Sequence, residues 1–119
     1  KTADLETVVV PIGGGGLISG VATAAKAINP AIKIVGVEVE GYPSVYNAIH
    51  GIEGKLGGST IAEGIAVKQP GQINLDIIQR LVDDIVVVSE DQIEEAINLF
   101  IKRFYILYFI YWSKHYMVL

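Results

Sequence analysis

The sequence predicts an α/β fold, three-layered and with a mostly parallel sheet. Three observations carry that prediction. A continuous β-branched apolar run, "TVVVPI" (Thr7 to Ile12), reads as a strand. Apolar residues at helical spacing follow it, and then a second strand, "IKIVGVEVE" (Ile32 to Glu40). Strand, helix and strand fit within about 35 residues, the size of a βαβ unit. The alternation then repeats, and alternating strands and helices imply a parallel sheet with right-handed crossovers.

Each element can be justified in turn. Because "TVVVPI" is apolar at every position but the first, the strand is expected to be buried on both faces. Leu17, Val21, Ala24 and Ile28 define one face of the first helix. Asn29-Pro30 ends it, since proline disfavours helix in the residue before it. "YPSVYNAIH" is expected to be a short helix with Pro43 near its first turn. His50 would flank it. "GIEGKLGGST" is a glycine-rich loop, and "IAEGIAVKQPG" an extended piece ending in a turn. "INLDIIQRLV" carries Ile73, Ile77 and Leu81 at a spacing of four, so a helix. "DIVVVS" is a third strand. Ser89, with Gln92 three residues on, forms a capping box. Ile93, Ala96, Ile97 and Phe100 then give that helix a buried face. No element is assigned beyond Lys102.

Composition narrows the function classes. At 119 residues the chain suits one domain or a piece of one. Having no cysteine, it can form neither disulfides nor thiolate metal sites, and a cytoplasmic location is expected. Nine basic and 13 acidic residues leave a net charge of -4, which argues against nucleic acid and anionic membranes as partners. The N-terminal "KTADLETVVV" lacks the apolar core of a signal peptide. Seven of the ten aromatic residues fall between Phe104 and Tyr116, and no acidic residue follows Glu95. The run "FYILYFIYW" falls short of the ~20 apolar residues that a membrane span needs.

The stretch that carries chemistry is "VVVPIGGGGLISG" (Val8 to Gly20). A strand entering glycines and then a helix is the geometry of an anion site. The first helical N–H groups lack partners and the helix dipole adds positive charge. Without β-carbons, successive amides can close around one phosphate. All four glycines are therefore expected to touch the anion, and Gly20 to let the helix approach the sheet. A P-loop is excluded, because Leu17 follows Gly16 where lysine would be needed. A dinucleotide fold stays open as an alternative. Gly14, Gly16 and Gly20 fit its fingerprint with one extra residue, and Glu38 could hold a ribose.

Beyond these local readings, "VVVPIGGGGLISGVATAAKAINPAIKIVGVE" closely resembles the phosphate-loop segment of threonine dehydratases. These belong with serine dehydratase and serine racemase among the fold-type II pyridoxal-phosphate enzymes. "TIAEGIAVKQPG" resembles the family's turn beside the coenzyme, and "LVDDIVVVSEDQI" its next strand and capped helix. The resemblance runs from about Thr7 to Ile101. It implies that Gly13, Gly14, Gly15 and Gly16, with the Leu17 amide, bind the phosphate of pyridoxal 5′-phosphate. It also implies that Glu63 and Gly64 lie near the pyridine ring. In some members a divalent cation uses positions corresponding here to Glu38, the Tyr42 carbonyl and Ser44. Serine stands where the family has an acid, which counts against that cation, and Glu38 reads better as a solvated strand end.

The implied activity is deamination of L-threonine or L-serine to a 2-oxo acid and ammonia. No segment matches the family's Schiff-base lysine, its substrate-carboxylate loop or its later E-G-A-G segment. The contexts of Lys26, Lys33, Lys55 and Lys68 match none of the catalytic positions. The expectation is an internal fragment that supplies the anchor but no chemistry and is inactive alone; an inactive structural remnant is the blander alternative. Residues 1–103 would form the partial cofactor domain. The tail 104–119, with His115, lies outside the resemblance; it could cover a sheet face or pair two chains into a homo-oligomer.

Overall fold

The computed structural model describes residues 4–116, with side chains through Arg103. Its elements are β1 (Thr7–Pro11), α1 (Gly16–Ile28), β2 (Lys33–Val39), α2 (Ser44–His50), a 3₁₀ turn (Glu63–Ile65), α3 (Gln72–Leu81), β3 (Asp84–Val88) and α4 (Glu90–Tyr116). The strands lie in the order β1-β2-β3, and both pairings are parallel. In register, Val9 pairs with Val35, which pairs with Asp84.

Strand order that advances in one direction has a consequence for the helices. Crossovers of the same hand must then fall on the same face of the sheet. Accordingly α1 and α3 pack side by side. The core lies beneath them: Val10, Ile12, Ile18, Ala22, Ile32, Ile34, Val45 and Ile78 are buried together. On the opposite face, Pro11, Val37 and Val88 line an apolar cleft of about 730 Å³ against Ile93, Ala96 and Ile97 of α4.

This arrangement corrects several expectations. β1 is buried on one face only, and Val9 on the other is 63% exposed. The reason is that α1 and α3 both cover the first face. The face of α1 is rotated by one residue: Ile18, Ser19 and Ala22 are buried, whereas Leu17, Ala24 and Ile28 are exposed. Gly36 of β2 causes this. A β-carbon there would sit 2.3 Å from Ile12 Cδ1 and 3.1 Å from Ile18 Cδ1, so its absence makes the hollow that receives both side chains. Gly36 thus allows the close approach expected of Gly20, which is exposed with open space around it.

In α3 the inward residue is Ile78, and Ile73 points outward. "IAEGIAVKQPG" contains the 3₁₀ turn and not an extended piece. In α4, Ile93 and Ile97 are half-buried but Ala96 and Phe100 are exposed, so the expected face is only partly covered. The capping box forms as expected: Ser89 N–H donates to Gln92 Oε1 at 2.9 Å, and Gln92 N–H to Ser89 Oγ at 3.3 Å. The stretch left unassigned beyond Lys102 continues α4 to Tyr116. The side chains expected to cover a sheet face or to pair two chains, 104–119, lie outside those described. Among the described residues no helix is long and apolar enough to cross a membrane.

Candidate functional site

β1 hands the chain to the glycines through Ile12, whose N–H donates to Val37 O at 2.8 Å. Gly15 then takes φ 92° and ψ -1°, a left-handed conformation that suits glycine, and turns the chain into α1. The first α-helical bond is Ser19 N–H to Gly15 O at 3.1 Å. The amides of Gly16, Leu17 and Ile18 therefore precede the helical ladder and have no partner within it. Among the described residues no backbone or side-chain acceptor takes the amides of Gly13, Gly14 or Gly15 either. The first turn of α1 contains no acidic residue to offset its dipole, and no side chain caps it. Unclaimed donors and the positive end of a 13-residue helix make a seat for an anion.

The four glycines divide into two pairs by what a side chain at each would meet. A β-carbon at Gly13 would meet Val67 Cγ2 at 3.2 Å and Ile65 Cα at 3.4 Å. One at Gly15 would meet Ile78 Cδ1 at 2.9 Å and Asn74 Cβ at 3.0 Å. Protein packing therefore disfavours a side chain at Gly15 and leaves little room for one at Gly13. At Gly14 nothing lies within 4 Å, and at Gly16 only the Asn74 side-chain nitrogen, at 4.0 Å. These two edges of the loop are the ones open to a ligand.

The 3₁₀ turn comes to the same place. Gly64 O lies 3.5 Å from the β-carbon position of Gly13, so the structure joins the turn to the loop across about fifty residues of chain. Glu63 is exposed beside it. This segment is anchored by Glu90, whose carboxylate accepts from the Thr60 hydroxyl and from Ile61 N–H at 3.1 Å.

Glu38 is elsewhere and differently employed. It is fully buried and not the solvated strand end expected. Its two carboxylate oxygens accept from Val45 N–H and Tyr46 N–H, each at 2.8 Å, at the start of α2. Burial raises its pKa above the ordinary carboxylate range, and the two amides oppose that shift. Enclosed this way, it cannot reach a ribose. Nor do the residues fit a divalent cation: both oxygens are engaged, Ser44 brings no charge, and no group of three or more His, Cys, Asp or Glu able to hold a metal occurs among the described residues. His50 flanks α2 as expected, its Nδ1 lying 2.8 Å from Tyr46 O.

Sequence reasoning missed Asn74. Its side-chain nitrogen donates to Gly14 O at 3.0 Å, and Gly71 N–H donates to the same oxygen at 3.1 Å. Ser19, buried in α1, donates its hydroxyl to Asn74 O at 3.3 Å. Nothing in "QPGQIN" announces a contact sixty residues back.

Comparison with known proteins places the chain in a family. The chain matches the family model described as "pyridoxal-phosphate dependent enzyme" over residues 1–108. It is 43% identical to an L-threonine ammonia-lyase of Thermotoga maritima over 105 residues, covering 84% of this chain and 25% of the relative. It is also 43% identical to a catabolic L-threonine dehydratase of Escherichia coli K12 over 102 residues, 84% of this chain and 31% of the relative. Among solved structures, maize serine racemase superposes with a TM-score of 0.75 at 39% identity, covering 83% of this chain and 31% of that one. A threonine deaminase from T.th. superposes with a TM-score of 0.73 at 35% identity, covering 82% and 36%. The chain spans about a quarter to a third of the length of the curated relatives it matches.

Proposed function

This chain belongs to the pyridoxal-phosphate dependent enzymes, and from that premise we propose that it supplies the phosphate-binding part of a threonine or serine dehydratase. The observation that carries the reading is the row of unclaimed amides from Gly13 to Leu17, set between β1 and the dipole of α1. The loop fits the group: its Gly14 and Gly16 edges are open, and a methyl added at Gly14 would meet only that open space.

In this reading the amides of Gly13, Gly14, Gly15, Gly16 and Leu17 would donate to the phosphate oxygens, and the Glu63–Gly64 turn would lie near the ring. When bound, pyridoxal 5′-phosphate supplies the electron sink that lets a hydroxy amino acid lose its α-proton and β-hydroxyl. The net reaction converts L-threonine or L-serine to a 2-oxo acid and ammonia. This chain's own part would be to fix the coenzyme's phosphate end. Residues 1–103 are the part assigned to that task. A cytoplasmic location belongs to the same reading.

A titration of the isotopically labelled 119-residue chain with pyridoxal 5′-phosphate tests this. The amide resonances of Gly13 to Leu17 are expected to move together, and inorganic phosphate to move the same set more weakly. Silence of those five amides at millimolar ligand would remove the proposal.

A further inference from the structure

The Gly14 carbonyl is held from two sides, and both holds come from the start of α3. Gly71 N–H reaches it at 3.1 Å and Asn74 Nδ2 at 3.0 Å. A peptide unit is planar and trans, so the C=O of Gly14 and the N–H of Gly15 point in opposite directions. Holding that oxygen toward α3 therefore aims the Gly15 N–H away from α3, to the side where no protein acceptor among the described residues meets it. Glycines cannot hold this orientation by themselves, because their dihedrals are the least restricted of any residue. Something outside the loop has to select it.

We propose that Asn74 is a positioning residue of the phosphate loop, fixing the Gly14–Gly15 peptide so that the Gly15 amide faces the anion. Asn74 is itself positioned. Ser19 donates to its backbone carbonyl, which ties α3 to α1 just where α1 leaves the loop. Its Cβ lies 3.0 Å from where a β-carbon at Gly15 would stand, so a side chain there would collide with Asn74. In this proposal Asn74 acts through the peptide it holds. The inference rests on the phosphate reading above.

The test compares the wild-type chain with N74L, which keeps the side chain's size and removes its donor. Both are titrated with inorganic phosphate and with pyridoxal 5′-phosphate, and the amides are followed one by one. N74L is expected to bind roughly tenfold more weakly, the loss set by one misaligned donor to a charged group. The Gly15 amide should lose its response, while those of Gly16 and Leu17 keep theirs. A merely structural role for Asn74 would dull all of them equally.

N74L binding both probes like wild type, with an unchanged Gly15 response, would overturn the inference and leave the phosphate reading standing. A wild-type chain whose loop amides ignore both probes would take down the reading and the inference together. Should N74L fail to fold, N74D is read in its place, since at neutral pH its carboxylate cannot donate. The wild-type chain gives an independent check: the Asn74 side-chain amide protons should exchange slowly, and exchange at the free-amide rate would refute the hydrogen bond.

Discussion

Gly14 and Gly15 are neighbours in one loop, yet they are glycine for different reasons, and substitution separates them. Alanine at Gly15 would combine a left-handed φ of 92° with an overlap against Ile78 Cδ1 at 2.9 Å. G15A is expected to cost about 1–3 kcal/mol of stability, measured by denaturant unfolding. Alanine at Gly14 enters open space, so G14A should unfold within about 0.5 kcal/mol of wild type. Its methyl group would nevertheless occupy the anion's side of the loop, so coenzyme affinity should fall while stability holds. Equal effects on stability would show that the loop packs differently. Glu38 offers a test of another kind. Burial raises its folded pKa, so as pH falls the folded state takes up this proton before the unfolded state does. The stability this contributes is fully present below the unfolded value and is lost as pH rises through the folded value. E38Q cannot titrate. Wild type should therefore gain stability relative to E38Q from pH 7 to pH 4 in urea melts. A loss relative to E38Q in acid would mean that the Val45 and Tyr46 amides, and not burial, control the carboxyl.

At the scale of elements, β2 and α1 meet through an absence. Ile12 and Ile18 fill the space that a side chain at Gly36 would need. G36V should push α1 off the sheet and cost about 1–3 kcal/mol or more, with the phosphate loop displaced as a secondary effect. Tolerance of valine there, with coenzyme affinity intact, would disprove the account of how α1 is seated. A second link crosses the same elements. Asp83, just before β3, accepts from Ile34 N–H at 2.7 Å and from Lys26 Nζ of α1 at 2.8 Å. Lys26 beside it lowers the Asp83 pKa. With its side chain 41% exposed, this ion pair is of the weak, solvent-screened kind, and the packing at Gly36 outweighs it.

At the scale of the molecule, the loop is a meeting point of distant segments: β1 leads into it, α1 leaves it, α3 grips Gly14, and the 3₁₀ turn packs on Gly13. A ligand that binds only the folded loop must therefore stabilise the whole fold. At a hundredfold excess over Kd the linkage amounts to about 2.7 kcal/mol. Pyridoxal 5′-phosphate is expected to raise the unfolding midpoint, whereas pyridoxal without the phosphate should not. Equal stabilisation by both would place the affinity outside the glycine loop.

Much of this was legible from the chain alone. The tetraglycine after "TVVVPI" marks the turn from a strand into a helix, because glycine takes the left-handed conformation that Gly15 adopts there. The alternation of strands and helices gives a parallel sheet, and Ser89 with Gln92 marks the start of α4, because both are local patterns that pairing and capping read directly. Three-dimensional packing decided the rest. Which face of α1 turns inward depends on Gly36, a residue of the next strand. Whether Glu38 meets water or caps α2 depends on how the chain returns after β2. What holds Gly14 depends on α3 arriving from sixty residues away. A local pattern can specify donors and elements, but the direction in which a donor points is set by whichever atoms pack against its other side, and those come from elsewhere in the sequence.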